Sequence, residues 1–342
     1  MNRLTGLGAL GLAALALTMD ATAPRPAMAA DTEWRAHLVW VPTRQETKYF
    51  ETWANRVNER TGDAFEISVH PGGSLGVKDT DMLRILPMGN VIQATMLYAG
   101  YVSRDAPELA TVLPEGVLAT ADDAVKALPV LNEIFDASYS SRGVKTLATF
   151  MAPDRTINIY CSQPVNTLEQ LRERKLRVWS KTMVDTFAKI GVSATIVPQN
   201  DMYMAMQTGV VDCATYYPAA ANTLSLHEIA PYWSYLSPYA VPLEVIVSQR
   251  AWDDLPEDIQ AILMEEAQAV AKETADAFLS GEFEKSEGIR YDELGGEMIE
   301  PFPEADQKAF TEAALQTWEA DATALGEPAS GNYERLHSLL YE

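Results

Sequence analysis

The frame Gly72-Gly73-Ser74-Leu75-Gly76 satisfies the spacing of a hydrolase nucleophile elbow, where a tight glycine turn between strand and helix exposes a serine oxygen. Such a serine needs a downstream acid and then a histidine to take its proton, and only His227 and His337 follow it. The four histidines, His37, His70, His227 and His337, stand alone, without the paired spacing that builds a zinc site, so no metal is expected. No phosphate loop and no dinucleotide fingerprint occurs, so no nucleotide cofactor is expected either. Acidic pairs such as Asp122-Asp123 and Asp253-Asp254 read as helix starts and solvated faces. Cys161 and Cys213 are the only cysteines; they are either a disulfide or two buried thiols, and no nearby histidine activates them for catalysis. The remaining candidate is Arg177, set in the apolar run Leu176-Arg177-Val178-Trp179. A guanidinium in such a strand is largely desolvated and needs an anionic partner, for which its planar fork suits a carboxylate. That partner is either an internal Asp or Glu or the carboxylate of a bound molecule.

The elements that must position these residues alternate between strand and helix. Ala36 to Val41 reads as a strand, Glu46 to Arg60 as an amphipathic helix with Phe50, Trp53, Ala54 and Val57 on one face, and Phe65 to Val69 as a strand. A helix over Asp79 to Pro87 and a strand over Val91 to Leu97 complete a unit whose order implies a parallel sheet. A second series starts near Thr156, with strands at 157–161, 176–179 and 195–197 and helices at 167–172, 183–190 and 201–207. The fold class is therefore α/β in two lobes. Pro256 to about Lys285 carries apolar residues at helical spacing, from Ile259, Ile262 and Leu263 to Phe278. At 1.5 Å per residue this spans roughly 45 Å, enough to run across both lobes, unless Gly281 breaks it.

Composition and charge bound the function. The chain has 342 residues, 47% hydrophobic and 22% charged, and suits about two domains with a cleft between them. Its net charge of −22 argues against nucleic acid and anionic membranes, whose affinity comes from basic residues. Residues 1–29 read as a secretory leader: Arg3, the apolar run Leu4 to Met19, then Ala27-Met28-Ala29 before cleavage at Ala30. The run is too short for a comfortable membrane anchor, and no later segment is long enough to span. A secreted, periplasmic protein follows, with no membrane insertion.

The order of segments resembles the solute-binding proteins of tripartite ATP-independent periplasmic (TRAP) transporters, of the C4-dicarboxylate-binding type. The resemblance rests on Phe50, Trp53, Ala54 and Val57 with Arg60-Thr61-Gly62; on Pro71 to Gly76; on Pro107-Glu108-Leu109 and Leu113-Pro114; on Lys175-Leu176-Arg177-Val178, Ile190-Gly191, Val197-Pro198 and Asp201-Met202-Tyr203; on Gln207 to Asp212; and on Trp252 with Leu255-Pro256. It accounts for the glycine turn around Ser74 as a family feature. It implies a type II-like periplasmic-binding-protein fold, with 30–154 plus about 240–281 as lobe I and 155–239 plus about 282–342 as lobe II. A monomer is expected, without catalysis or cofactor, docking on the small and large membrane permease subunits.

The resemblance further implies that Arg177 binds the solute carboxylate, that Arg155 assists it and that Tyr203 packs in the cleft. The chain departs from the family pattern where Trp179 stands for a usual proline and where Tyr216, followed by Tyr217, stands for a usual asparagine. Trp40, Tyr98 and Trp233, at strand ends or in loops, are further candidates to face the cleft. Aromatic groups in place of polar ones favour a small organic anion with one acid group and an apolar or aromatic body. The alternatives are a secreted serine hydrolase using Ser74, and a binding protein serving another transporter or a receptor.

Overall fold

The computed structural model describes residues 32–342; the leader expected over 1–29 lies outside them. The chain runs through β1 (Thr32–His37), α1 (Gln45–Thr61), β2 (Phe65–His70), α2 (Met82–Ile85), β3 (Ala94–Leu97), α3 (Asp123–Ser140) and β4 (Val144–Met151). It continues with β5 (Thr156–Cys161), α4 (Leu168–Arg172), β6 (Leu176–Val178), α5 (Lys181–Lys189), β7 (Ala194–Ile196), α6 (Met202–Gln207), β8 (Cys213–Tyr216), α7 (Pro218–Thr223) and β9 (Tyr232–Pro238). It returns through β10 (Pro242–Ser248), α8 (Gln249–Asp253) and α9 (Glu257–Ser280), and ends with α10 (Glu282–Glu293), β11 (Glu297–Met298), α11 (Glu304–Leu325) and α12 (Ala329–Tyr341).

Two sheets result, β2-β1-β3-β10-β4 and β11-β9-β5-β8-β6-β7, one in each lobe. β1 pairs in parallel with both β2 and β3, as the strand–helix–strand order requires. β10 enters antiparallel between β3 and β4, a return from the second lobe that local alternation does not reveal. It is buried along its whole length, which suits Pro-Leu-Glu-Val-Ile-Val-Ser with both faces covered. The chain therefore passes between the sheets at 152–155 and again at 239–241.

Helices tie the lobes together. The apolar stripe of α1 packs on α9, where Trp53 Nε1 donates to the Leu263 carbonyl at 3.1 Å. α9 buries Ile259, Leu263, Val270 and Phe278 beside the first sheet and stops at Gly281, whose φ of 66° is the left-handed conformation that ends helices. The long helical run expected to reach Lys285 is thus two segments, and the second, α10, packs on α7 of the other lobe. A second crossing is made by α11, where Phe310 meets Phe187 of α5 at 5.0 Å and Trp318 donates to the Thr111 carbonyl at 2.6 Å. α12 lies on α3, so the end of the chain sits with the first lobe.

The cysteines are joined: Cys161 on β5 stands opposite Cys213 on β8, with Cα atoms 4.2 Å apart. Closing a loop of this size contributes about 2–4 kcal/mol, chiefly by restricting the unfolded chain. The bond fixes β8 to β5, and on its other side β8 pairs with β6, the strand that carries Arg177. No helix among the described residues is long and apolar enough to cross a membrane.

Candidate functional site

β6 is short, and its alternation places Leu176 and Val178 in the core and Arg177 on the other face, toward the first lobe. Arg177 is only 1% exposed. Its Nε donates to the Val197 carbonyl at 2.9 Å and its Nη1 to the Thr215 carbonyl at 3.3 Å. The guanidinium lies 5.2 Å from the Tyr216 ring centre and 5.8 Å from that of Trp179, within cation–π range. No carboxylate among the described residues forms an ion pair with it. Burial accordingly pushes its pKa below the ordinary arginine value, although the guanidinium stays protonated.

This arginine opens on a cavity of about 120 Å³ between the two sheets, large enough for a small organic molecule. Trp40, Tyr98, Trp179, Tyr216 and Tyr217 line it with Arg177, so six of the nine expected residues come together. Tyr101 and Tyr239 complete the wall. The rings form a nearly closed belt: Tyr216 to Tyr217 at 4.8 Å, Tyr217 to Tyr239 at 6.2 Å, Tyr239 to Trp179 at 5.6 Å and Trp179 to Tyr216 at 6.4 Å. Such a wall favours a flat or apolar body through contact with ring faces.

Two carboxylates brace the aromatic wall, Glu115 from behind it and Glu46 from within the lining. Glu115 accepts from Trp179 Nε1 at 2.5 Å, Tyr98 OH at 3.1 Å and Ser180 Oγ at 3.1 Å, so one buried side chain of the first lobe grips the start of α5 in the second. Its loop is tightly held: Leu113 has φ 51°, and a Cβ on Gly116 (φ 89°) would come within 2.7 Å of Phe310. The other is Glu46, in the first turn of α1, which pairs through both oxygens with Arg44. Arg44 also donates to Tyr217 OH at 2.8 Å across the lobes. Burial opposes the Arg44 charge, but Glu46, together with Tyr217 and Tyr216, more than reverses this and holds its pKa above the ordinary value.

Three expected site residues are elsewhere. Arg155, in the crossover from β4 to β5, does not line the cavity: its Nη1 donates to the Phe278 and Leu279 carbonyls at 2.7 Å each, and its Nη2 to Asp122 at 2.6 Å. It caps α9 where Gly281 breaks the helix, since the exposed carbonyls and negative dipole end attract a cation. Arg155→Ala is therefore expected to lower stability by about 1–2 kcal/mol while leaving solute affinity within about twofold; urea unfolding and calorimetric titration read the two separately. Tyr203, on α6, is also absent from the cavity, because Met202 and Met206 take the buried face and its hydroxyl turns to Glu228 at 2.7 Å. Trp233 stacks on Tyr160 at 5.9 Å in the second lobe, outside the cavity. Ser74 is exposed in the turn formed by Gly72, Gly73 and Gly76, all at φ 69°, and its side chain has no hydrogen bond to a histidine among the described residues.

Sequence reasoning missed Arg44, Glu46, Tyr101, Glu115 and Tyr239. Arg44 and Glu46 look like an ordinary charged helix start, and only folding, which closes the 173 positions between Arg44 and Tyr217, makes Arg44 part of the site. The paired aromatics of Tyr98 and Tyr101 were a usable signal, since both follow the end of β3.

Residues 36–323 match the family model described as bacterial extracellular solute-binding protein, family 7. A solute-binding protein of Sulfitobacter sp. is 24% identical over 83% of each chain. The C4-dicarboxylate-binding periplasmic protein DctP of Rhodobacter capsulatus is 26% identical over 82% of this chain and 83% of that one. Among solved structures, a TRAP periplasmic solute binding protein from Chromohalobacter salexigens with bound D-glucuronate superposes with TM-score 0.78 at 20% identity, covering 90% of this chain and 99% of that one. One from Desulfovibrio salexigens with bound orotic acid gives 0.77 at 23% identity, with the same coverage.

Proposed function

Since the chain belongs to family 7 of the bacterial extracellular solute-binding proteins, we propose that it captures a small organic acid with one carboxylate and a flat or apolar body, anchored by Arg177, and delivers it to the membrane subunits of a TRAP transporter. The observation that carries this reading is the buried Arg177 guanidinium, without a carboxylate partner among the described residues and facing an aromatic-walled cavity. A desolvated cation in that position gains most from a ligand carboxylate, which supplies both the missing charge and two aligned acceptors. The ring belt supplies the apolar remainder of the binding energy. The solutes named for solved relatives, D-glucuronate, galacturonate, orotic acid, malonate and pyroglutamate, are all carboxylic acids, and orotic acid has the flat ring that this wall suits.

Binding between lobes couples capture to closure. The division into 30–154 plus about 240–281 and 155–239 plus about 282–342 is supported by the sheet each strand joins, with α12 the exception. The crossovers at 152–155 and 239–241 would act as hinges, and a ligand touching Trp40 and Tyr98 on one side and Arg177 and Trp179 on the other favours the closed form. Such a protein acts by binding and presentation; the exposed Ser74 turn supports no hydrolytic reading. The test is a thermal-shift screen of the mature protein against sugar acids, keto and hydroxy acids, aromatic acids and dicarboxylates. A monocarboxylate with a ring at about 100 times its Kd should add about 2.7 kcal/mol. A screen in which only uncharged solutes shift the melting temperature would refute the reading.

A further inference from the structure

Among the described residues, two charged side chains line the cavity, Arg177 and Glu46. Glu46 faces the cavity on one side and Arg44 on the other, and Arg44 is 1% exposed and set back from the wall behind Glu46 and Tyr217. Of the Arg44 donors, Nε and Nη2 are taken by Glu46 and Tyr217, while Nη1 is buried with no partner. The neighbouring Asp154 has both oxygens buried without hydrogen bonds, so it does not bond to Arg44 in place of Glu46; burial, reinforced by Glu46 and Glu284, pushes its carboxyl well above the usual carboxylate range. The cavity thus presents one cation that is free for a solute, and behind its wall lies a second that is masked by an internal carboxylate.

We propose that Glu46 determines specificity: by occupying Arg44 it restricts the cavity to solutes with a single anionic group, and its removal converts the cavity into a dicarboxylate site. This rests on the reading of Arg177 as the carboxylate anchor. A second carboxylate on the solute meets the Glu46 carboxylate in a desolvated space and has no second free cation to pair with, so the dianion is rejected by repulsion and by lack of a counter-charge. With Glu46 replaced by alanine, the Arg44 fork is uncovered, still protonated and aimed at the space the Glu46 carboxylate held. A solute carboxylate seated there would restore the same bidentate pair.

The test compares wild type, Glu46→Ala, Arg44→Gln/Glu46→Gln and Arg177→Ala by calorimetric titration with matched pairs of acids, benzoate against terephthalate and hexanoate against adipate. Each variant is also melted with and without acetate at tens of millimolar. The preference of wild type for the single acid is expected to fall at least tenfold in Glu46→Ala and to persist in the double variant, in which no masked cation is left to uncover. Acetate is expected to raise the melting temperature of Glu46→Ala by several degrees more than that of wild type or the double variant, in which it can pair only with Arg177, a readout that needs only a partly stable variant. Equal wild-type affinity for both members of a pair, an unaltered ratio in Glu46→Ala, or a double variant that gains the dicarboxylate would overturn the proposal. Arg177→Ala separates the two levels: loss of anchoring there with no change of ratio on removing Glu46 refutes the specificity role alone, whereas undiminished binding by Arg177→Ala refutes the anchor.

Discussion

Arg177→Ala is expected to weaken binding of the cognate acid by about 30-fold to 5,000-fold, the range for truncating one partner of a buried, hydrogen-bonded charge pair, about 2–5 kcal/mol. The free protein should tolerate the change. It loses two bonds to the Val197 and Thr215 carbonyls, but it is also relieved of a desolvated charge with no internal carboxylate among the described residues. The expected signature is therefore a melting temperature close to that of wild type without solute, and the disappearance of the solute-induced shift. Arg177→Lys should recover part of the affinity, because a point charge replaces the fork but cannot match two carboxylate oxygens at once. A variant that unfolds would separate from one that merely fails to bind in the same melting experiment.

Glu115→Ala is expected to accelerate solute release by about 10-fold to 100-fold while leaving each lobe folded. Two of the three hydrogen bonds to Glu115 cross between lobes, to Trp179 and Ser180, and bonds to a charged acceptor contribute about 1.5–3 kcal/mol each. In the open form water can satisfy these groups, so the loss falls mainly on the closed state and shifts the equilibrium toward opening. Trp179 also lies beside the Arg177 guanidinium, so freeing its indole loosens the ring that flanks the anchor. Stopped-flow dissociation and solution scattering report the two consequences, faster release and a larger radius of gyration without solute. Unchanged release with an unchanged scattering curve would show that Glu115 only supports the fold.

Local pattern made some of this legible in the sequence. An arginine between Leu176 and Val178 signals a buried charge whichever partner it finds, and the aromatics at 179, 216 and 217 stand out because they flank short apolar strands. The helix stop at Gly281 is likewise a local matter. What escaped depends on long-range closure. Glu115 meets Trp179 across 64 positions, and β10 slots between β3 and β4 only after the whole second lobe has been traversed. Arg155 illustrates the converse error. Its type and approximate position fit a ligand-binding role, but the unsatisfied carbonyls at the end of α9 were nearer partners, and nothing local to residue 155 announces them.

The central claim, that a solute carboxylate rests on Arg177, is tested most directly by titrating wild type and Arg177→Ala with the acid identified in the screen and with its neutral primary amide. The amide preserves the body of the solute and removes its charge. Wild type should lose about 100-fold or more in affinity on passing from acid to amide, and Arg177→Ala should bind both equally weakly, so that the two changes are not additive. Equal affinity of wild type for acid and amide, or an acid preference that survives in Arg177→Ala, would contradict the account.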